Sequence, residues 1–173
     1  MWKPWILKGV GGLVVAVGLN LLLLRLFNED SPYRAEHSLV GLLLLLAWAA
    51  LLHRNSRSAF LLFVLSSLVP CYLGTVVPDW DITLLGIGAH RNPIFHSCFP
   101  YALMAMMIVC LKWHWAQVPV YGFGIGLASH LGWDVVFFGD VRWIPQGYDR
   151  WWLMLNALIC LIPPGIRRLN LSQ

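Results

Sequence analysis

Residues 118–138, VPVYGFGIGLASHLGWDVVFF, form an apolar segment that nevertheless contains a histidine and an aspartate. A membrane-spanning helix needs about 20 mainly apolar residues, and this segment has that length. Ionisable side chains inside a span are costly, so they are expected to face the interior of a helix bundle, towards a partner or a cavity. The segment therefore predicts a polytopic membrane protein with a polar site inside it.

The composition of the whole chain supports this class. Of the 173 residues, 59% are hydrophobic and only 12% are charged, whereas about 25% of the residues in a soluble domain are charged. These values exclude an ordinary soluble globule, a disordered protein and a basic nucleic-acid-binding domain. The net charge of +4 is typical of a membrane protein with basic cytoplasmic loops. The length predicts a single domain over residues 1–173.

Six apolar segments predict an all-α fold with about six transmembrane helices. The segments are residues 5–27, 38–52, 59–77, 95–111, 118–138 and 151–166. The first has no small-residue cleavage site, so we interpret it as a retained anchor rather than a signal peptide. Pro163 and Pro164 should end the last helix, because proline is costly inside one.

The basic residues predict that both termini are cytoplasmic. On that topology seven basic residues lie inside, including Lys3, Arg167 and Arg168, against four or five outside. All eight acidic residues then fall at the outer ends of the helices: Glu29, Asp30, Glu36, Asp79, Asp81, Asp134, Asp140 and Asp149. Acids contribute little to topology, so their one-sided placement indicates a function.

Four passages bring histidine and aspartate to this outer side. They are Glu36-His37-Ser38, Pro78-Asp79-Trp80-Asp81, His90-Arg91-Asn92-Pro93-Ile94-Phe95-His96-Ser97 and Ser129-His130-Leu131-Gly132-Trp133-Asp134. His130 and Asp134 are four residues apart, so they share a helix face. Gly122 and Gly126 continue that stripe and should let a neighbouring helix approach closely. Seven side chains of ligand type thus lie on four separate segments at one side of the membrane.

These side chains predict a site for a divalent ion. The candidate ligands are His37, Asp79, Asp81, His90, His96, His130 and Asp134. This mixture of nitrogen and oxygen favours zinc, with manganese or magnesium as alternatives. Such an ion would activate water and polarise an acyl or phosphoryl oxygen, and seven ligands are more than one four-coordinate ion needs.

The residues around these ligands suggest catalytic roles. Arg91 would hold a phosphate, and the general base would be Glu36 or an aspartate that binds no metal, such as Asp81. An extended chain after Pro78 could aim both Asp79 and Asp81 inwards. Ser97 and Ser129 each lie beside a histidine and could donate hydrogen bonds to the ligands.

Each feature also has a simpler interpretation. The His-x-x-x-Asp pair could be a structural hydrogen bond or part of a proton relay, and Asp79 and Asp81 could be solvated loop acids. Arg91 could be an interfacial anchor, and Glu36 a solvated residue near a helix start. Four cysteines have no paired spacing, so buried small hydrophobes are favoured over a disulfide between Cys71 and Cys98.

The order of these motifs resembles that of the YdjM-like (DUF457) family of bacterial membrane-bound metal-dependent hydrolases. The resemblance covers about residues 35–165 and leaves residues 1–34 as an additional N-terminal helix. It implies a multi-pass metal-binding protein of the bacterial cytoplasmic membrane. The bias of the basic residues, in turn, predicts that the metal site faces the periplasmic side. The matching positions are His37, Asp79, Asp81, His90, Arg91, His96, Ser97, His130 and Asp134.

Three functions remain open from the sequence. The first is hydrolysis of an ester or phosphoester, in a lipid or lipid-linked substrate such as a phospholipid, by a metal-activated water. The second is a small proton- or ion-coupled transporter or sensor, which predicts ionisable residues throughout the membrane depth. The third is a non-catalytic membrane subunit whose polar cluster is a buried salt-bridge network. None of them involves nucleic acid.

Overall fold

The computed structural model describes residues 4–164, and this range contains helices and no strand. All the α-helices except α4 have 12 residues or more, which confirms helices in the six predicted segments. They are α1 (Pro4–Leu26), α2 (Pro32–Leu52), α3 (Arg57–Val76), α4 (Trp80–Leu85), α5 (Phe99–Cys110), α6 (Gln117–Phe137) and α7 (Asp149–Cys160).

Three helical segments are long and apolar enough to cross a membrane by length and composition. They are Gly9–Leu26, Pro32–Leu52 and Arg57–Leu85. The apolar α5 has 12 residues and extends only about 18 Å, since a helix rises about 1.5 Å per residue. These findings are consistent with a membrane location, although they identify fewer spans than the sequence predicted.

Two predicted helix boundaries shift for local reasons. The fourth segment was expected to begin at residue 95, but α5 begins at Phe99 because the preceding residues form turns, with the His96 amide donating to the Asn92 carbonyl at 2.8 Å. The last helix ends at Cys160, before Pro163 as expected. Lys3, Arg167 and Arg168, and the final residues of segment 151–166, lie outside the described residues.

The central helix of the bundle is α6, which packs against α2, α3, α5 and α7. Its glycines allow backbone contact with α3, as the sequence predicted. A Cβ added at Gly126 would lie 1.9 Å from the Cys71 carbonyl oxygen, and one at Gly122 would lie 2.5 Å from Cβ of Ser67. Small residues permit such close approach between helices, and here the approach brings the end of α3 against the histidine of α6.

Helices α2 and α7 run antiparallel to α6, whereas α3 runs parallel to it, so the helix ends gather at two poles of the bundle. At one pole, the start of α2 meets the end of α6, where His37 contacts Asp134. At the other pole, Trp48 of α2 donates to the Tyr121 hydroxyl of α6, which donates to the Leu161 carbonyl just after α7. The pole that contains His37 and Asp134 is called the histidine pole below.

The described bundle is apolar outside and polar inside at the histidine pole. Large apolar side chains on α1, α3, α5 and α7 are more than half exposed, and they include Val14, Leu21, Leu61, Leu65, Met106, Val109, Leu155 and Leu158. Buried residues instead include charged and polar ones such as Asp81, His96 and His130. So many exposed large apolar side chains fit a lipid environment better than water.

Candidate metal centre

The first ligand group comes from α2 and α6. His130 and Asp134 lie one turn apart on α6, and Nε2 of His130 is 3.5 Å from Oδ2 of Asp134. His37 of α2 places its Nε2 3.5 Å from Oδ1 of the same carboxylate. All three side chains are buried, and their ligand atoms lie within 4.8 Å of one another. We call His37, His130 and Asp134 the first triad.

Backbone carbonyls fix the tautomers of both histidines in the first triad. Nδ1 of His37 lies 2.7 Å from the Tyr33 carbonyl oxygen, and Nδ1 of His130 lies 2.8 Å from the Thr75 carbonyl oxygen. A carbonyl only accepts hydrogen bonds, so each Nδ1 is the protonated nitrogen. In a neutral ring Nε2 then carries the lone pair, and it is Nε2 that faces Asp134. Metal-binding histidines are typically oriented in this way.

The second ligand group comes from the chain between α3 and α5. Asp79 closes a short 3₁₀ turn directly after α3, and His90 and His96 lie in the segment before α5. The ligand atoms of these three residues lie within 4.8 Å of one another. We call Asp79, His90 and His96 the second triad.

His96 has two buried ring nitrogens that are without a hydrogen-bond partner among the described residues. The residue is 1% exposed. Its Nδ1 lies 3.4 Å from Oδ2 of Asp81, and its Nε2 lies 3.7 Å from Oδ2 of Asp134, but neither contact has hydrogen-bond geometry. An unsatisfied buried polar group costs about 1–3 kcal/mol. Burial also lowers the pKa of His96, which favours the neutral ring that can bind a metal.

Asp81 lies behind the second triad and orients it. It is 0% exposed. Its Oδ1 accepts a hydrogen bond from Nδ1 of His90 at 3.1 Å, and its Oδ2 accepts one from the Asn92 amide at 2.9 Å. The sequence had suggested Asp81 as a ligand and as a base. The structure instead engages both oxygens, in the position of a carboxylate that orients a metal-binding histidine.

The different positions of Asp79 and Asp81 correct the expectation of an extended chain after Pro78. Residues 77–79 form the 3₁₀ turn, and α4 begins at Trp80. In helical chain, residues two apart point in nearly opposite directions. Asp79 therefore faces the cavity described below, while Asp81 is enclosed behind the histidines.

Two residues of α7 that the sequence did not suggest, Trp152 and Asn156, hold the segment of the second triad in place. Nε1 of Trp152 donates to the carbonyl of His96 at 3.0 Å. One turn later, Oδ1 of Asn156 accepts from the Cys98 amide at 2.8 Å. An asparagine inside the last apolar segment was the available signal, because a buried amide needs a hydrogen-bond partner.

Both triads border a cavity of about 550 Å³ that opens at the histidine pole. Two arginines line it: Arg34, which pairs with Glu29, and Arg91, which pairs with Asp140. The Arg91 guanidinium also lies 4.8 Å from the centre of the Phe138 ring. The lining comprises Glu29, Ser31, Tyr33, Arg34, His37, Asp79, Ile82, Ile87, His90, Arg91, His130, Asp134 and Phe138.

Several other residues suggested by the sequence do not reach the ligands. Glu36 is exposed and is not part of the cavity lining, because adjacent helical residues point about 100° apart and His37 faces inwards. The hydroxyl of Ser97 donates to the Ile94 carbonyl, and that of Ser129 donates to the Gly126 carbonyl. These three side chains therefore make no hydrogen bond to either triad.

The cysteines form no disulfide within residues 4–164, which contain all four of them. Cys71 and Cys160 are buried, Cys98 is partly buried and Cys110 is exposed. A disulfide between Cys71 and Cys98 is therefore not formed, and the favoured interpretation as small hydrophobic residues fits Cys71 and Cys160 best.

Comparison with known proteins corrects the family resemblance. A family model described as a domain of unknown function, DUF5942, matches residues 11–171. The expected membership of the YdjM-like (DUF457) family was wrong, since the model that matches is a different one. Histidine and aspartate motifs follow from ligand chemistry, which different families can share. No curated protein and no solved structure matches the chain.

Proposed function

We propose that this chain, which belongs to the DUF5942 family, is a membrane-embedded hydrolase that uses a divalent ion, with zinc favoured. Its substrate would be an ester or phosphoester of a lipid or lipid-linked molecule. The observation that carries the proposal is the buried, unpartnered ring of His96 between Asp81 and Asp134. A neutral imidazole among carboxylates suits a metal site, and the neighbouring histidines already use their Nδ1 atoms in hydrogen bonds, which leaves Nε2 for an ion.

The proposed topology has all six long helices in the membrane and both termini in the cytoplasm. The exposed apolar side chains on α5 and α7 support these two 12-residue helices as shorter membrane segments. The histidine pole would then face the outer side of a bacterial cytoplasmic membrane. Two cysteine variants test this sidedness, Gln146→Cys at the histidine pole and Asn55→Cys at the opposite pole.

Thiol labelling shows which pole of the bundle is accessible from outside the cell. A membrane-impermeant thiol reagent should label Gln146→Cys in intact cells and Asn55→Cys only after lysis. The unaltered chain supplies the background from its native cysteines. The reverse pattern would place the site on the cytoplasmic side and overturn the proposed topology.

The chemistry is the hydrolytic cleavage of an ester bond. When bound, the ion lowers the pKa of a water molecule and polarises the oxygen of the substrate. The water oxygen forms a bond to the acyl carbon or phosphorus, the bond to the ester oxygen breaks, and this oxygen leaves as a hydroxyl group. One proton of the water goes to that oxygen, and the other goes to a base.

Where an ion is bound by the first triad alone, Asp79 is not a ligand and is the carboxylate best placed as that base. Its side chain is 17% exposed and lies 3.9 Å from Nε2 of His130, at the cavity wall. Glu36 lies outside the cavity, and both oxygens of Asp81 accept hydrogen bonds. A carboxylate within reach of the attacking water is the geometric requirement for general-base catalysis.

The cavity lining supports an anionic lipid substrate. Arg34 and Arg91 pair with Glu29 and Asp140, but a guanidinium group has five N–H donors, and those left over can hold a phosphate. Ile82, Ile87 and Phe138 line the same cavity and can contact the start of an acyl or prenyl chain. The volume of about 550 Å³ lies within the usual range for small-molecule sites.

The distribution of ionisable residues favours a hydrolase over a transporter. A proton or ion path requires ionisable groups through the membrane depth. Within the described side chains, the buried ionisable residues other than cysteine and tyrosine all lie near the histidine pole. They are His37, Asp81, His96, His130, Asp134 and Asp149.

The proposal is tested on the full chain purified in detergent. We expect a stoichiometric divalent ion by elemental analysis, and chelator-sensitive hydrolysis when phospholipids and prenyl phosphates are supplied as substrates. His130→Ala should abolish hydrolysis, whereas His114→Ala, at an exposed histidine away from both triads, should leave it unchanged. A wild-type protein without a bound divalent ion would overturn the proposal. Equal activity in His130→Ala would do the same.

A further inference from the structure

We infer that the centre holds two divalent ions, one in each triad, with the carboxylate of Asp134 between them. The inference rests on the proposed metal-dependent function and specifies its metal content. Each triad offers three protein ligands, which is the usual number for a catalytic zinc ion. The ion in the first triad would keep an open position, and the shared Asp134 would add a fourth ligand to the ion in the second triad. A single four-coordinate ion would leave at least two of these six ligands unused.

The two triads adjoin one another. Nε2 of His130 in the first triad lies 3.9 Å from Oδ1 of Asp79 in the second. The ring centroids of His96 and His130, one from each triad, are 5.6 Å apart. Ions in adjoining triads would suit the separation of about 3.5–4 Å found in two-metal hydrolytic centres, where they stabilise both the attacking and the leaving oxygen.

Asp134 is the side chain that connects the triads. Its Oδ1 lies 3.5 Å from Nε2 of His37, and its Oδ2 lies 3.5 Å from Nε2 of His130. The same Oδ2 lies 3.7 Å from Nε2 of His96 in the second triad. One carboxylate thus faces the metal-binding nitrogens of both groups. A carboxylate has lone pairs on both oxygens, so it can ligate two ions at once.

The charge of the cluster also favours two ions. Asp79, Asp81 and Asp134 bring three negative charges to a largely buried site, where unpaired charge is costly. One divalent ion leaves the group negative, whereas two leave it with a single positive charge. A positive centre attracts an anionic substrate, and a negative one would repel it.

Metal stoichiometry of the wild-type chain is the decisive measurement. The full chain in detergent is equilibrated with zinc, freed of excess ion and analysed for zinc per chain. We expect two ions. One ion per chain would overturn this inference and leave the proposed hydrolase intact, whereas no ion would overturn both.

Single substitutions locate the two ions. His37→Ala in the first triad and His90→Ala in the second should each retain one ion, and Asp134→Ala should retain fewer than either. The matched control is His114→Ala, which should retain two. Loss of both ions from His90→Ala, in a protein that elutes and melts like the wild type, would show one shared site and overturn the assignment.

Electron paramagnetic resonance tests the distance without any variant. Loaded with manganese, the wild-type chain should give the spectrum of a coupled pair, and His90→Ala should give that of an isolated ion. An uncoupled wild-type spectrum at full loading would overturn the placement of Asp134 between two ions.

Discussion

The substitution Asp81→Asn is expected to weaken metal binding by about 100-fold. Asp81 accepts hydrogen bonds from Nδ1 of His90 and from the Asn92 amide. An asparagine has one oxygen and one NH₂ group, so it can satisfy only one of these two donors. If it keeps the bond to the Asn92 amide, it presents its NH₂ group to His90.

The consequence for His90 is a change of tautomer. Facing an NH₂ donor, Nδ1 must become the acceptor, and the proton moves to Nε2. Nε2 then has no lone pair for a metal ion. Loss of a residue that orients a ligand typically costs 10- to 100-fold in metal affinity. Because Asp81 also lies 3.4 Å from Nδ1 of His96, we expect the upper value, about 2.8 kcal/mol.

The assay is a competition between the protein and a chromophoric zinc chelator, with the melting temperature measured in parallel. The matched control is Asp149→Asn. Asp149 is also buried, at 8% exposure, and also accepts a hydrogen bond from a backbone amide, that of Val141 at 3.0 Å. The control should lose about 1 kcal/mol of stability and keep its zinc affinity. Wild-type affinity in Asp81→Asn, or an equal loss in both variants, would refute the reasoning.

Three further predictions concern stability and positioning. Gly126→Ala should lower the free energy of unfolding by about 3 kcal/mol, because the added Cβ would lie 1.9 Å from the Cys71 carbonyl oxygen. The control is Gly132→Ala, whose Cβ would have nothing within 4 Å and which should not lower it. Thermal melts of the two variants test this prediction. Trp152→Phe removes the hydrogen bond to the His96 carbonyl and should cost about 1 kcal/mol, with weaker zinc binding in the chelator competition; unchanged zinc binding would contradict the positioning role. A chelator should lower the melting temperature and zinc should restore it, by the equivalent of about 2.7 kcal/mol at 100 times the dissociation constant; a melt insensitive to both would contradict a metal bound to the folded state.

The features that the sequence predicted correctly depend on local helix geometry. His130 and Asp134 share a face because residues four apart do so in any α-helix. Gly122 and Gly126 predicted the close approach of another helix because a missing side chain permits it in any bundle. The six helical segments followed from their apolar length alone. None of these predictions required knowledge of which helices are neighbours.

The features that the sequence did not predict depend on how the chain turns and packs. From their spacing, Asp79 and Asp81 were both expected to point inwards as metal ligands. The helical conformation of residues 77–85 instead directs them to different sides. Glu36 was a candidate base because it precedes His37, and the helix turns it away from the cavity. The role of Trp152 was not foreseen, because it arises only where α7 meets the loop before α5.

The sequence by itself determined that this is an apolar all-helical chain with histidine and aspartate at one end of its helices. Composition and helical period carry that information, since both are local properties. Only the tertiary structure divided the seven candidate ligands into two triads and an orienting aspartate. Contacts such as that of His37 with Asp134, 97 residues away, depend on which helices pack together. The unpartnered ring of His96 likewise follows from the burial that this packing produces.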